Sequence, residues 1–445
     1  MLLRLRQRAH DLTLEPWQRN LIVVFIAQVC TAIGFSIIFP FLPLYVKDLG
    51  TETNISIEFW AGAVFSAQAI TMMIASPIWG ALADRYGRKL MLQRAMFGGT
   101  IIIFLMAFVR SAEELVLIRA VQGLITGTVS AANALVAASA PRHRMGFAMA
   151  TVQVALWSGV ALGPLIGGVL ADAFGYRMPF VITAGMLFIA GLLIHFFVKE
   201  DFRPKSSEAS GGRGFFAEWR HIIGMKGVPQ TYIIRFMSGL SRSMIIPIMP
   251  LFVVALLTGD VLTIAPPESF SDLTVTAARV GTFTGVVIGI ASATSTFSAV
   301  FLGRLGDRIG HRSILVGCSL ALIGIYLPQA FVTNPWQLIG LQALAGLAIG
   351  GIVAAPSALL AQYTEPGEEG AVYGLDNSVV AGARALAPLI GAGIAVWLGL
   401  RATFVILSGS FFLVALIGLV LLPNHTLMER EESEQVGELQ PTGAD

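Results

Sequence analysis

Ten residues at 80–89, GALADRYGRK, return in altered form at 303–312 as GRLGDRIGHR, 223 positions later in a chain of 445. Gly80, Asp84, Arg85 and Gly87 correspond to Gly303, Asp307, Arg308 and Gly310, and each copy follows a long apolar run. A charged, glycine-punctuated turn that occurs once in each half restricts the chain to a duplicated architecture of two related bundles. In membranes, halves of this kind rock about a central site.

Composition identifies the solvent. Apolar residues make up 55% of the chain and charged ones 13%, with a mean hydropathy of +0.76, whereas soluble domains carry roughly 25% charge. Crossing about 30 Å of hydrocarbon takes about 20 apolar residues. On that measure the first half divides into spans at 20–46, 58–80, 90–109, 114–139, 145–171 and 178–198. The second divides at 229–256, 277–302, 313–332, 336–361, 370–397 and 401–422, making twelve in all. The bilayer offers no water to a bare backbone, so each span is predicted to be helical.

The formal net charge of +2 conceals an asymmetry. Arg4, Arg6, Arg8 and Arg19 precede the first span, Arg85, Arg88, Lys89 and Arg94 follow the second, and Arg142 and Arg144 follow the fourth. Lys199, Arg203, Lys205, Arg213, Arg220 and Lys226 follow the sixth, and Arg304, Arg308 and Arg312 the eighth. The alternate loops are poor in Lys and Arg, so both termini are predicted to be cytoplasmic. Cys30 and Cys318 lie within spans, one per half, and form no disulfide or metal framework.

The repeat reaches beyond one motif. Gly123 and Gly127 return as Gly346 and Gly350, and the Pro164–Gly167 run PLIG returns at 388–391. FPFLPLYV at 39–46 returns as IPIMPLFV at 246–253, an offset of 207. The change of offset places an insertion in the acidic loop between spans seven and eight, where added length is tolerated. The organisation read from these features is a 1–19 cytoplasmic segment, a 20–199 six-helix bundle, a 200–228 linker, a 229–422 six-helix bundle and a 423–445 tail.

GALADRYGRK resembles the loop 2–3 signature of the major facilitator superfamily. Arg119, Gln122 and Gly123 are similar to its span-four motif, and Gly159, Gly163, Pro164, Gly167 and Gly168 to its span-five antiporter motif. IIFPFLPLY around Pro40 and Pro43 resembles the first span of drug:proton antiporters with twelve spans. The likeness runs from about residue 20 to residue 422. It implies an all-α membrane protein of twelve transmembrane helices in two pseudo-symmetric bundles. Gly80, Asp84, Arg85, Gly87 and Arg88, with Asp307 and Arg308, would then form a gating latch on the cytoplasmic side. The same charges also fix topology. The span-five glycines with Pro164, and Pro388 in span eleven, would form a flexing seam that closes the outer side. Small residues at those places also serve ordinary close packing.

Charges deep in spans carry the most information about the interior, because an arginine at mid-bilayer costs about 2.5–3.5 kcal/mol on insertion scales. Arg119, Arg235, Arg242 and Arg384 are such residues, with polar company from Gln28, Thr31, Gln122, Asn133, Gln153 and Asn377. Together they outline a cationic substrate cavity. Each arginine also has the simpler use of bonding backbone carbonyls. Asp376 is the one clear acid inside a span and the candidate for proton coupling, with Arg384 as its expected partner. Spans one to four have no interior carboxylate, unlike many proton-coupled relatives.

These features describe a monomeric secondary transporter of the cell membrane that exports small amphiphilic compounds in exchange for protons. Its partners are the small-molecule substrate, protons and the lipid bilayer, with no nucleic acid, metal or cofactor. An organic-anion importer or exchanger, or a non-transporting scaffold of the same fold, are the other readings. No GxxxxGK[ST] loop, clustered His/Cys/Asp site or nucleophile elbow occurs, which argues against an enzyme.

Overall fold

The computed structural model describes residues 15–141, 144–200, 221, 223–225, 227–258, 279–364 and 369–422. The outer segments, most of the linker and the acidic 259–278 loop therefore lie outside the described residues. In the first half, α1 (Pro16–Ile37) and α2 (Leu42–Leu49) make span one. They are followed by α3 (Ile57–Tyr86), α4 (Arg88–Met106), α5 (Ala112–Ile125) with α6 (Thr128–Ser139), α7 (Met145–Phe174) and α8 (Met178–Phe197). In the second half, α9 (Val228–Met244) and α10 (Ile248–Thr258) make span seven. They are followed by α11 (Val280–Ile309), α12 (His311–Gln329), α13 (Pro335–Tyr363), α14 (Glu369–Leu398) and α15 (Leu400–Val420).

Among the described residues, eleven stretches are long and apolar enough to cross a membrane. Span four falls short because a break at Thr126–Gly127 leaves helices of 14 and 12 residues. Spans one and seven are also broken, at Ile38–Phe41 and Ile245–Pro247. Pro40 and Pro247 stand in those breaks, and a proline removes a backbone donor and crowds the preceding turn. Spans two and eight run past their predicted ends at 80 and 302. The charged repeat stays helical as far as Tyr86 and Ile309, and the turn is confined to Gly87 (φ +101°) and Gly310 (φ +90°). A side chain at such angles is strained, which accounts for glycine at both places.

The duplication extends to individual backbone contacts. A Cβ added at Gly167 would collide with the Ile37 carbonyl, and one at Gly391 with the Met244 carbonyl. A Cβ at Gly123 would meet Thr71 and Gln68, and one at Gly346 would meet Thr294 and Ala291. Each second contact is the first shifted by the offsets read in the sequence.

The halves meet along two lines, α7 against α11 and α3 against α14, with α2 touching α10. Gly62 lies so close to α14 that a Cβ would come within 2.7 Å of the Pro388 carbonyl, and Gly285 is pressed in the same way against the Pro164 carbonyl. These contacts lie toward the face away from the linker, and there Leu44 joins the apolar core of the second half. At the linker face the apolar clusters are separate. One gathers Leu21, Val24, Leu135 and Val198, and the other Val228, Tyr232, Leu360 and Leu375.

Candidate functional site

Polar groups enter the two bundles in different ways. In the first half, α5 places Arg119 and Gln122 one turn apart. Arg119 is 2% exposed, its Nε donates to the Val64 carbonyl at 3.2 Å, and its Nη1 donates to Gln122 Oε1 at 2.7 Å. The guanidinium also lies 5.8 Å from the Phe65 ring centre, within cation–π range. Among the described residues Arg119 pairs with no carboxylate. Its Nη2, Gln122 Nε2 and Gln28 Oε1 are buried without a hydrogen-bond partner. A buried polar group left in that condition costs about 1–3 kcal/mol.

In the second half, α9 presents Arg235 to α14. Its Nε donates to Asp376 Oδ1 at 2.9 Å and its Nη2 to Asp376 Oδ2 at 2.8 Å, a two-pronged pair that holds orientation as well as charge. The remaining Nη1 reaches the Val353 carbonyl on α13 at 3.1 Å. One side chain therefore ties three spans. Tyr232, one turn before Arg235, donates its hydroxyl to the Val372 carbonyl at 2.9 Å and fixes the same helix pair.

The expected pairing of Asp376 with Arg384 is corrected by this geometry. Eight residues along one helix separate the two by about 12 Å of rise, whereas α9 packs directly against α14. Arg384 is exposed and Arg242 half-buried, and Arg242 lies within electrostatic reach of both Arg384 and Arg235. With Asp376 engaged by Arg235, this group of three arginines keeps an excess of positive charge. Thr31 is buried and bonds back to the Ala27 carbonyl at 2.7 Å. Asn133 is half-buried with its Oδ1 unpartnered, while Gln153 and Asn377 are exposed.

The repeated motif divides between what is described and what is not. The side chains of Asp84 and Arg85 and the surroundings of Gly80 lie outside the described residues. The start of α4 is held within its own half. The Glu200 carboxylate accepts the Arg88 and Lys89 amides at 3.0 and 2.8 Å, and Lys89 Nζ reaches the His195 and Val198 carbonyls. In the second half, Arg312 occupies the Lys89 position and donates to the Gly418 and Leu419 carbonyls. Both cations thus sit at the negative end of the sixth helix of their bundle. Asp307 pairs with His311 at 3.2 Å, and Arg308 is exposed.

The span-five seam has two sides. Gly159, Gly163 and Gly167 press on α1, and Ser36 Oγ donates to the Gly159 carbonyl at 2.9 Å. Gly168 and the Pro164 carbonyl face α11 across the halves. Asp172, one turn further, is a residue that sequence reasoning passed over, as it did Glu200. Each looks like an ordinary acid at a span end, and only its neighbours distinguish it.

The sequence profile of the Major Facilitator Superfamily matches residues 24–229 and 231–442. The chain is 36% identical over 397 residues to the multidrug resistance protein MdtG of Salmonella typhimurium, covering 88% of this chain and 93% of that protein. Among solved structures, the nucleoside transporter NupG is similar with a TM-score of 0.71 at 13% identity, covering 90% of this chain and 98% of that one. A bacterial homolog of the human lysosomal transporter Spinster, in an inward-facing and occupied conformation, has a TM-score of 0.71 at 13% identity, covering 92% and 97%. The human organic anion transporter MFSD10 has a TM-score of 0.62 at 19% identity, covering 91% and 100%.

Proposed function

Because the chain belongs to the major facilitator superfamily and is a multi-pass membrane transporter, we propose that it exports small amphiphilic compounds by alternating access in exchange for protons. Similarity to a multidrug resistance protein over nearly its whole length supports the substrate range. The observation that carries the mechanism is the unequal contact between the halves. They are joined by paired glycine–carbonyl seams at one face and hold separate apolar clusters at the other. That inequality supports reading the halves as a rocking pair in one end state. In this reading both termini and the linker are cytoplasmic, the chain works as a monomer in the cell membrane, and the described conformation opens inward.

The substrate cavity takes its charge from Arg119, Arg242 and Arg384, which favours anionic or zwitterionic guests, since a desolvated anion needs a charge-assisted donor. Arg242→Ala is expected to weaken transport of anionic amphiphiles more than that of neutral ones, and equal losses would assign the residue to bundle stability. Asp376 takes up the coupling proton when rearrangement of the α9–α14 pair releases Arg235. Purified protein should then release protons on substrate addition, whereas Asp376→Asn keeps substrate binding and loses that release. Native-rate, pH-dependent export by this variant would remove Asp376 from the coupling step. An organic-anion exchanger, which the arginine excess also suits, would move its anion without releasing protons. The Asp84 motif closes the linker face in the opposite state. Asp84→Asn should shift spectroscopic distances across that face, and an unchanged distribution with full transport would exclude the latch.

A further inference from the structure

Helix α11 lacks a cap of its own. Its N-cap residue, Arg279, offers no acceptor to the first turn and has φ +82°, the one positive value at a non-glycine residue among the described residues. The acceptor comes from the other half. Asp172, near the end of α7, takes the Gly281 amide on Oδ1 at 2.9 Å and the Thr282 amide on Oδ2 at 2.7 Å, with the Thr282 hydroxyl at 2.5 Å on the same oxygen. Those amides are the N2 and N3 donors that a capping side chain ordinarily satisfies. A carboxylate there also meets the positive end of the helix.

The close approach is part of the same contact. A Cβ at Gly281 would stand 2.7 Å from Asp172 Oδ1 and 2.8 Å from the Gly168 carbonyl. The pseudo-equivalent seam is built otherwise. There α3 is capped within its own half by Ser56, whose hydroxyl accepts the Phe59 amide at 3.4 Å. The positions of α14 that correspond to Asp172 are Ala395 and Val396, which offer no side-chain acceptor.

We propose that Asp172 is a conformational latch: it holds the face away from the linker shut by capping α11 in trans, and it releases that cap whenever the halves part there. Opening this face therefore leaves two amides of α11 unsatisfied, whereas α3 keeps its Ser56 cap in either state. Among the described residues, the α7–α11 line is the one of the two seams that stores a cost of opening in a hydrogen-bonded charge.

The latch can be tested by distance measurement on purified full-length protein. Spin labels are placed at Phe108→Cys and Phe331→Cys, exposed positions of opposite halves at that face, in a chain with Cys30 and Cys318 replaced by alanine. Asp172→Ala is expected to raise the ratio of long to short distances roughly tenfold, the scale of losing a charged cap. Adding Arg279→Asp supplies α11 with a cap in cis. It should recover the melting temperature lost in Asp172→Ala while the long distances persist, because an internal cap stabilises the helix without joining the halves. An unchanged distance distribution in Asp172→Ala overturns the proposal. A return to short distances with Arg279→Asp also overturns it, since Asp172 would then serve only the helix end. If Asp172→Ala fails to accumulate, Asp172→Asn, of the same shape and without charge, is read by the same two criteria. Neither measurement uses transport, so failure of the latch leaves the exporter reading standing.

Discussion

The two bundles share their backbone contacts and differ in their buried charges. Gly167 on Ile37 and Gly391 on Met244 are the same contact made twice, as are Gly123 and Gly346 in their grooves. Arg119, by contrast, rests on a glutamine and a carbonyl, while Arg235 clasps a carboxylate. At the Arg119 position the second half has Gln342, bonded to Gln329 at 3.0 Å. Glycine-to-carbonyl contacts tolerate no added atom, so both copies keep them. Polar pockets tolerate exchange as long as their donors find acceptors, and there the halves have diverged.

The largest expected effect probes that divergence. Arg235→Ala strands Asp376, which is 3% exposed, and should cost about 3–5 kcal/mol, as breaking a buried pair from one side does. Thermal unfolding in detergent checks it, and adding Asp376→Asn should recover most of the loss. Arg119→Ala strands no carboxylate and should cost less than half as much. Equal losses would mean that the two clusters are not built on different principles.

The next effect should be equal in both halves. Gly167→Ala and Gly391→Ala each push a methyl group into a carbonyl, which overpacking places at about 1–3 kcal/mol. Shifts in melting temperature that differ by more than a few degrees between the two would break the equivalence of the seams.

Smaller effects test the linker face. Glu200→Ala removes the acceptor for two amides of α4 and should cost about 1 kcal/mol, the usual loss at an N-cap. Lys89→Ala and Arg312→Ala each remove a cation from the end of a sixth helix, for about 0.3–1 kcal/mol. Raised salt should shrink the last pair toward zero. Salt-independent losses there would assign these side chains to packing instead of charge.

Much of the fold was legible because its signals are one-dimensional. Apolar length marks a span, and a fixed offset marks a duplicate. The helical continuation through Asp84 was not, since a run of charges after a span reads as a loop, although nothing in ALADRY forbids a helix. The breaks in spans one and seven carried a visible cause in Pro40 and Pro247. Within the site, Arg119, Gln122 and Gln28 are packed away from solvent, a degree of burial that the cost of charge in a membrane does not specify by itself. The partner of Asp376 did not follow from position along the chain, because a carboxylate finds its cation across a helix interface more easily than two turns along its own helix.

By itself, then, the sequence determined residence in the membrane, the number of spans and the twofold repetition. All three depend on the length and spacing of apolar and glycine residues along the chain. Only the tertiary structure decided that Arg235 holds Asp376, that the apolar clusters at the linker face are separate and that Asp172 caps a helix of the other half. Those outcomes depend on how each helix is rotated and how closely it approaches its neighbours. Many weak packing contacts set that rotation jointly, and no local stretch of sequence encodes it alone.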